Sequence, residues 1–356
     1  MTVPPEPSRA RRLVLAHGWN ATAYQILNPG IDHWFSAAGD AVVGYVRRHR
    51  VRVVAGAPVS AEERLPAVVE EFAAAARRQG DRVCYIGAEA RLERVYREDS
   101  RSDFVLLGSQ PVFDPELWEA RRRASVRANL NRARNKGVTV DEWPAEKAAA
   151  HPALTGCLAF WLARRGLPPM HFLVEPDTLS RLEDRRVFVA IRSGVVVGFL
   201  VASPVPARDG WLIEQIIRGE GAANGTADLL IDRTMRAVAA EGSRYATLGM
   251  APLSHRAGTA FSNPPWIRPL IAWARAHGRR FYNFDGLDAF KAKFDPVRWD
   301  PVFAIAHGGR FSPRMLYAML AAFAQGSPIL AVARGVVKAA GTELSGLTGG
   351  ERSRRA

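Results

Sequence analysis

Apolar and polar positions along the second half of the chain follow a regular succession of periods. Residues 187–192 (VFVAIR) and 195–202 (VVVGFLVA) are β-branched runs joined by Ser193 and Gly194, which predicts a hairpin with a two-residue connection. Pro204, Pro206 and the Arg208-Asp209-Gly210 turn interrupt the pattern before a third strand over 211–217. A Gly/Ala/Asn-rich turn then opens into a helix from Thr226, with Asp228 in its first turn and Gly242 as its stop. The pattern continues as a strand over 245–250, a helix over 266–277, a strand over 280–284, a short helix over 287–294 and a strand over 302–306.

A weaker copy of this order occupies the first half. Residues 34–35, 41–47 and 51–55 alternate as a meander, a helix follows over 62–79, and strands follow over 83–87 and 104–108. Strand, strand, strand, helix, strand, helix, strand, strand, as in the second half, is the order of GNAT acyltransferases. The chain therefore reads as an internal duplication: an α/β (α+β), tandem GNAT-like acyltransferase fold of two mixed-sheet domains joined by a basic helix. The expected boundaries are an unstructured N-terminus over 1–12, a first domain over 13–137, a catalytic second domain over 138–311, amphipathic helices over 312–340 and a disordered basic tail over 341–356.

The junction over 211–235 carries the most chemistry. A strand, a turn and a helix in immediate succession aim free backbone N–H groups and the positive end of a helix dipole at one spot. Residues 218–223 (RGEGAA) fit the R-x-x-G-x-A turn with which GNAT enzymes cradle pyrophosphate, and Arg218 adds a fixed charge. The first half has 55–60 (AGAPVS) at the matching place, so it is expected to shape a channel rather than hold a second active site.

The joining helix, expected over 115–136, has Asp114 as N-cap, Pro115 at its first position and Gly137 as its end. It carries Arg121, Arg122, Arg123, Arg127, Arg132, Arg134 and Lys136 against the single acid Glu119 from 119 onward. Those charges cover more than one helical face, which favours a phosphate-tracking, tRNA-binding surface over a merely solvated one. The net charge of +14 supports an anionic partner, although a preference for Arg over Lys accounts for part of it. Two cysteines, Cys84 and Cys157, are too few for a disulfide framework and suit a reduced cytoplasm. No run approaches the ~18–20 apolar residues of a membrane span, and the first twelve residues lack the apolar stretch of a signal peptide. The stripe Met315, Leu316, Met319, Leu320 and Phe323 suits either a helix packed on the domain or one lying in a membrane interface.

Several blocks together resemble the cytoplasmic catalytic domain of phosphatidylglycerol lysyltransferases, the multiple peptide resistance factors. They are Gly39-Asp40, 121–137, 223–226 (ANGT), 248–253 (LGMAPL), 281–287 (FYNFDGL) and 290–295 (FKAKFD), and the likeness runs from about Leu13 to Gly309. The resemblance implies a tandem GNAT fold and transfer of an amino acid from aminoacyl-tRNA to a lipid hydroxyl such as that of phosphatidylglycerol. It implies no cofactor, aminoacyl-tRNA and an anionic phospholipid as partners, and a cytoplasmic, peripheral position at the inner membrane face. The family's transmembrane flippase domain is absent from this sequence, so a stand-alone member is expected. The family's Asp-x-x-Arg strand is here Glu214 four residues before Arg218, and Ala223 replaces its Pro. These departures keep an acyl-CoA-dependent N-acyltransferase, or a non-catalytic RNA- or lipid-binding module, as alternatives.

Arg218, Glu214 and Lys293 are the candidate catalytic residues. Arg218 would bind the carbonyl oxygen, a phosphate or the tRNA terminus, or else form a salt bridge with Glu214. Glu214 would orient Arg218 or hold the incoming ammonium, and Lys293 would act as acid or charge stabiliser. Asn224, Gly225 and Thr226 at the helix start, Tyr282, Asn283 and Asp285 near the penultimate strand, and Lys291 are candidate substrate contacts. Asp285 and Asp288 would receive a cationic aminoacyl group, or else simply form a turn. Capping explains Asn224 and Thr226 equally well, as an amphipathic helix explains Lys291 and Lys293. His17 and Trp19 would stack on a tRNA base or start an element. No metal-ligand cluster is evident.

Overall fold

The structure, a computed structural model, describes residues 6–97, 101–164, 170–258, 261, 263–269, 271–272 and 283–324. Twelve strands form one mixed sheet. They are β1 (Asp32–Phe35), β2 (Val42–Arg48), β3 (Val51–Ala55), β4 (Arg82–Ala88), β5 (Asp103–Phe113), β6 (Val138–Trp143), β7 (Arg186–Arg192), β8 (Val195–Val205), β9 (Gly210–Arg218), β10 (Tyr245–Thr247), β11 (Ala251–Pro252) and β12 (Arg298–Ala306). Their order across the sheet is β1-β2-β3-β4-β12-β5-β10-β9-β8-β7-β6, with β11 pairing β5 off that path.

The internal repeat lies in the connections. In each half, three antiparallel strands lead through a helix to a parallel fourth. The first is β1-β2-β3, helix Leu65–Arg78 and β4; the second is β7-β8-β9, helix Thr226–Ala240 and β10. The closing strands are then exchanged. β5 continues the first half but pairs with β10, while β12 ends the second half and pairs with β4. β5 and β12 also pair with each other, from Arg298 opposite Val112 to Ala306 opposite Asp103. The two halves therefore share one sheet, and neither carries all its hydrogen-bond partners alone. Expressed separately, residues 1–137 and 138–356 are expected to be insoluble, because each would expose unpaired edges at β4 or β10; soluble, cooperatively melting halves would contradict this.

Each half of the sheet is covered on both faces. Phe72 and Val68 of helix Leu65–Arg78 pack on one face of the first half, while helices Glu6–His17 and Pro313–Ala324 cover the other. Leu130 and Val126 of helix Ala124–Asn135 and Leu230 and Met235 of helix Thr226–Ala240 share one core on the second half; Leu154 and Leu158 of helix Pro152–Ala163 fill the opposite face. Burial on both faces explains why the central strands read as nearly continuous apolar runs.

Several expectations change. Residues 6–12 are not an unstructured arm but part of helix Glu6–His17, which buries Ala10, Leu13 and Val14 and ties Arg11 to Asp184 at 2.7 Å. The basic helix is broken: a 3-10 turn Pro115–Leu117 and helix Trp118–Arg121 precede extended backbone at Arg122 and Arg123, and helix Ala124–Asn135 follows. Asp114 caps the first piece, accepting from the Glu116 N–H at 3.0 Å, and Gly137 follows the last at φ +75°. The expected strand over 245–250 stops at Thr247, and Phe284 begins helix Phe284–Ala292 rather than ending a strand. Met315 of helix Pro313–Ala324 faces the core and the Phe323 ring meets Phe172, so this helix packs on the domain; Leu320 points outward, 61% exposed. Most of the strand expected over 280–284 (280–282), the second half of the helix expected over 266–277 (273–277), residues 325–340 and the tail over 341–356 lie outside the described residues. No described helix is long and apolar enough to cross a membrane.

Candidate active site

The strand leading to the glycine-rich turn carries a bulge. Val201 of β8 pairs with Gln215, but the next pair is Ala202 with Ile213, so Glu214 is the extra residue. The bulge turns its side chain into a buried polar network. Arg185 donates to Glu214 through Nε (3.1 Å) and Nη2 (3.3 Å), and the Ser203 hydroxyl also donates to it. The Arg185 and Glu214 side chains are only 2% and 5% exposed. Arg185 reaches on to Asn28 Oδ1 and lies over the Tyr24 ring, and Gln25 donates to Ser203. The network thus ties the 3-10 turn Tyr24–Leu27 of the first half to β8 and β9. Glu214 neither pairs with Arg218 nor is open to an incoming ammonium. Its partner is an arginine that strand alternation gave no reason to choose.

Arg218 stands exposed at the end of β9, and among the described residues it has no ion-pair partner. Beyond it, a side chain at Gly219 would strike Cys157 Sγ, and Gly225 takes φ +95° with the Asn129 carbonyl oxygen pressed against the place a Cβ would occupy. The basic helix therefore packs directly on the turn. Gly225→Ala combines an unfavourable left-handed backbone with this clash and is expected to cost about 2 kcal/mol or more in chemical denaturation. Thr226 is fully buried and donates to the Ala223 carbonyl at 2.7 Å, closing the turn on itself instead of reaching a substrate, whereas Asn224 is exposed. Asp228, in the first turn of the helix, receives Lys293 Nζ at 2.7 Å and Asn129 Nδ2 at 3.1 Å. Lys293 keeps a quarter of its side chain exposed and rests against the Phe290 and Phe294 rings.

Lys291 is placed differently. It is buried, and its ammonium donates to three consecutive carbonyls, Leu248 at 2.7 Å, Gly249 at 2.8 Å and Met250 at 2.9 Å. No N–H is left for a phosphate, so the residue is a clamp on the chain between β10 and β11. Burial pushes its pKa down to about 7; the three carbonyls oppose that loss, since a neutral amine would turn a lone pair toward one of them.

Just beyond the clamped segment, residues 252–256 form one wall of a cleft of about 250 Å³, whose other wall is the start of helix Phe284–Ala292. Asp288 accepts from Ser254 Oγ and Arg256 Nε, both at 2.6 Å, and Asp285, His255 and Leu253 complete the lining. Asn283 caps the helix, accepting from the Gly286 N–H at 2.9 Å. Tyr282 lies outside the described residues. Helix Phe284–Ala292 thus joins the two parts of the site, with acids in the cleft at its start and Lys293 beside the glycine-rich turn just past its end. Two carboxylates, a guanidinium and a hydroxyl in one cleft suit a zwitterionic or cationic polar group.

Sequence reasoning missed a second buried ion pair. Glu89, 2% exposed, accepts from the Ala21 N–H at 2.7 Å and from Arg208 Nη1 at 3.1 Å. Arg208 lies over the Tyr245 ring at 3.5 Å and the Trp19 ring at 4.6 Å, so Trp19 is engaged by Arg208, and by Arg91, rather than offered to a base. Burial raises the Glu89 pKa from 4.5 to about 7, against the pull of Arg208. The folded protein therefore binds more protons than the unfolded chain between those values, and stability falls as pH rises across that window. Glu89→Gln is expected to lose this slope, so its melting temperature relative to the native chain should be higher at pH 8 than at pH 5. An unchanged difference across that range would refute the assignment.

The basic segment divides by partner. Arg122, 14% exposed, and Arg134 bind the buried Asp232 at 3.0 and 3.3 Å, while Arg121 and Arg123 bind Asp295 at 3.0 and 2.6 Å. Arg122 is thereby excluded from contact with a large partner. Arg127, Arg132, Arg134 and Lys136 remain exposed. No group of three or more metal-ligating side chains occurs among the described residues.

A family model described as phosphatidylglycerol lysyltransferase, C-terminal, matches residues 11–306. A phosphatidylglycerol lysyltransferase of Bacillus subtilis is 28% identical over 299 residues, covering 82% of this chain and 34% of the relative. The chain spans about a third of the length of the curated relatives it matches. Among solved structures, the C-terminal domain of a putative lysylphosphatidylglycerol synthetase from Agrobacterium fabrum superposes with a TM-score of 0.75 at 24% identity, covering 90% of this chain and 97% of that one. The structure of L-PGS from Bacillus licheniformis superposes with a TM-score of 0.72 at 22% identity, covering 95% of this chain and 98% of that one. These two likenesses establish the fold.

Proposed function

This chain belongs to the phosphatidylglycerol lysyltransferase C-terminal family, and on that premise we propose that it is an aminoacyltransferase that moves an amino acid from aminoacyl-tRNA to a lipid hydroxyl such as that of phosphatidylglycerol. The observation that carries the reading is the family match across nearly the whole described fold. In the reaction, the lipid hydroxyl oxygen bonds to the aminoacyl carbonyl carbon, the ester bond to the tRNA ribose breaks, and the hydroxyl proton ends on the ribose oxygen.

The second half, taken as 138–311, carries the chemistry. The cleft between 252–256 and Asp285–Asp288 receives the aminoacyl group, with Asp285 and Asp288 in its lining as the acidic side for its ammonium. Arg218 and Lys293 supply positive charge for the phosphate of the tRNA end or for the oxyanion, a contribution that preorganised donors make without reorganisation. The exposed Arg127, Arg132, Arg134 and Lys136 follow the tRNA backbone, and the protein works at the inner face of the membrane.

The test uses purified protein, radiolabelled aminoacyl-tRNA and phosphatidylglycerol vesicles, followed by organic extraction. Label entering the organic phase, and lost after RNase treatment, is the expected result. Label that stays on tRNA, with acetyl-CoA raising the melting temperature, would replace this reading with the CoA-dependent one.

A further inference from the structure

The exposed arginines of the basic segment do not hang freely from a helix. Two carboxylates, Asp232 and Asp295, hold four of the segment's arginines between them, Arg122 and Arg134 on the first and Arg121 and Arg123 on the second. Asp232, with 1% of its side chain exposed, accepts from Trp118 Nε1 at 2.9 Å, Arg122 Nη1 at 3.0 Å, Arg236 Nε at 3.1 Å and Arg134 Nη2 at 3.3 Å. These donors come from helix Trp118–Arg121, from the break after it, from helix Ala124–Asn135 and from helix Thr226–Ala240 itself. Arg236, 37% exposed, is held from both sides, its Nη1 pairing with Glu119, whereas Arg134 keeps 49% of its side chain exposed, held at one end and open at the other. Asp295 does the same for Arg121 and Arg123, which are 41% and 56% exposed. Long cationic side chains lose rotamer entropy when they close on a phosphate, and guanidinium groups held in advance lose less of it.

We propose that Asp232 is a positioning residue for RNA: it presents Arg134, and through the break at Arg122 the flanking Arg121 and Arg123, as a preformed face for the sugar-phosphate backbone of tRNA. This rests on the tRNA reading above. It makes a prediction that charge alone reverses. Asp232→Asn adds one positive charge to a chain already at +14, so a surface acting only through summed charge would bind RNA more tightly. A surface that depends on positioned arginines binds it more weakly.

The experiment measures binding of deacylated total tRNA to the full chain across a salt series, with the melting temperature recorded for each variant. For Asp232→Asn, affinity is expected to fall about tenfold, with a log–log salt slope shallower by roughly 0.7 for each phosphate no longer neutralised. Glu241→Gln, which adds the same charge at an exposed site away from the cluster, is expected to bind as tightly as the native chain or more so. Equal or tighter binding by a folded Asp232→Asn protein overturns the proposal while leaving the tRNA reading intact. Failure of the native chain to bind tRNA overturns both. Should Asp232→Asn not fold, Asp295→Asn decides, because its carboxylate is 30% exposed and holds the other arginine pair; weaker binding supports preorganisation, and unchanged or tighter binding refutes it.

Discussion

Arg218→Ala is expected to lower aminoacyl transfer by about 10²–10³-fold, the loss typical of removing one preorganised donor from a developing oxyanion. The residue stands exposed at the end of β9 without an ion-pair partner among the described residues, so its removal leaves no buried charge behind and should not move the melting temperature. tRNA affinity should fall only slightly, since the other cationic side chains still hold the phosphates. Transfer assays beside thermal melts separate the cases. A variant as active as the native chain removes Arg218 from the chemistry, and one that is inactive because it melts early makes the residue structural. Arg218→Lys keeps the charge but not the two-pronged geometry and should recover only part of the activity.

The largest stability effect is expected at Arg185. Its removal leaves Glu214 as an uncompensated carboxylate at 5% side-chain exposure, and breaking a buried pair in this way costs about 3–5 kcal/mol. At about 2.1 cal/mol/K of unfolding entropy per residue, a chain of 356 residues shifts by roughly 1.3 °C per kcal/mol, so Arg185→Ala should lower the melting temperature by about 4–7 °C. The double replacement Arg185→Met with Glu214→Leu removes both charges and fills the space, and should recover much of the loss. If the single and double variants melt together, the pair is not what holds the bulge. Because the network joins the 3-10 turn Tyr24–Leu27 to β8 and β9, the single variant should also loosen the packing between the halves, visible as faster amide exchange in β9.

The legible parts of this protein share a cause. The hairpin of β7 and β8, the strand–turn–helix at Arg218 to Thr226, the cap at Asp114 and the stops at Gly137 and Gly242 all depend on residues within a few positions of each other. Local φ/ψ preference and hydrophobic period act at that range. The repeated order of elements was readable for the same reason, as was the likeness to the lysyltransferase family. Asn283, Asp285 and Asp288, close in sequence, sit together at a single helix start.

The site residues that were misjudged are those whose partners are distant in sequence. Glu214 and Arg218 look like a pair because they are four apart on one strand, but the bulge removes Glu214 from the alternation and gives it to Arg185. Lys291 and Lys293 look alike in FKAKF, yet one enters the protein to hold three carbonyls and the other meets Asp228 beside the turn. Glu89 and Arg208, 119 residues apart, carry no signal in either neighbourhood. The amino-acid sequence by itself determined most of the strand–turn–helix succession, and which family it builds. Only the tertiary structure decided that β5 and β12 change places within one sheet, and which charges are buried together. Those outcomes come from long-range packing and desolvation, whose free energies have no counterpart in local pattern.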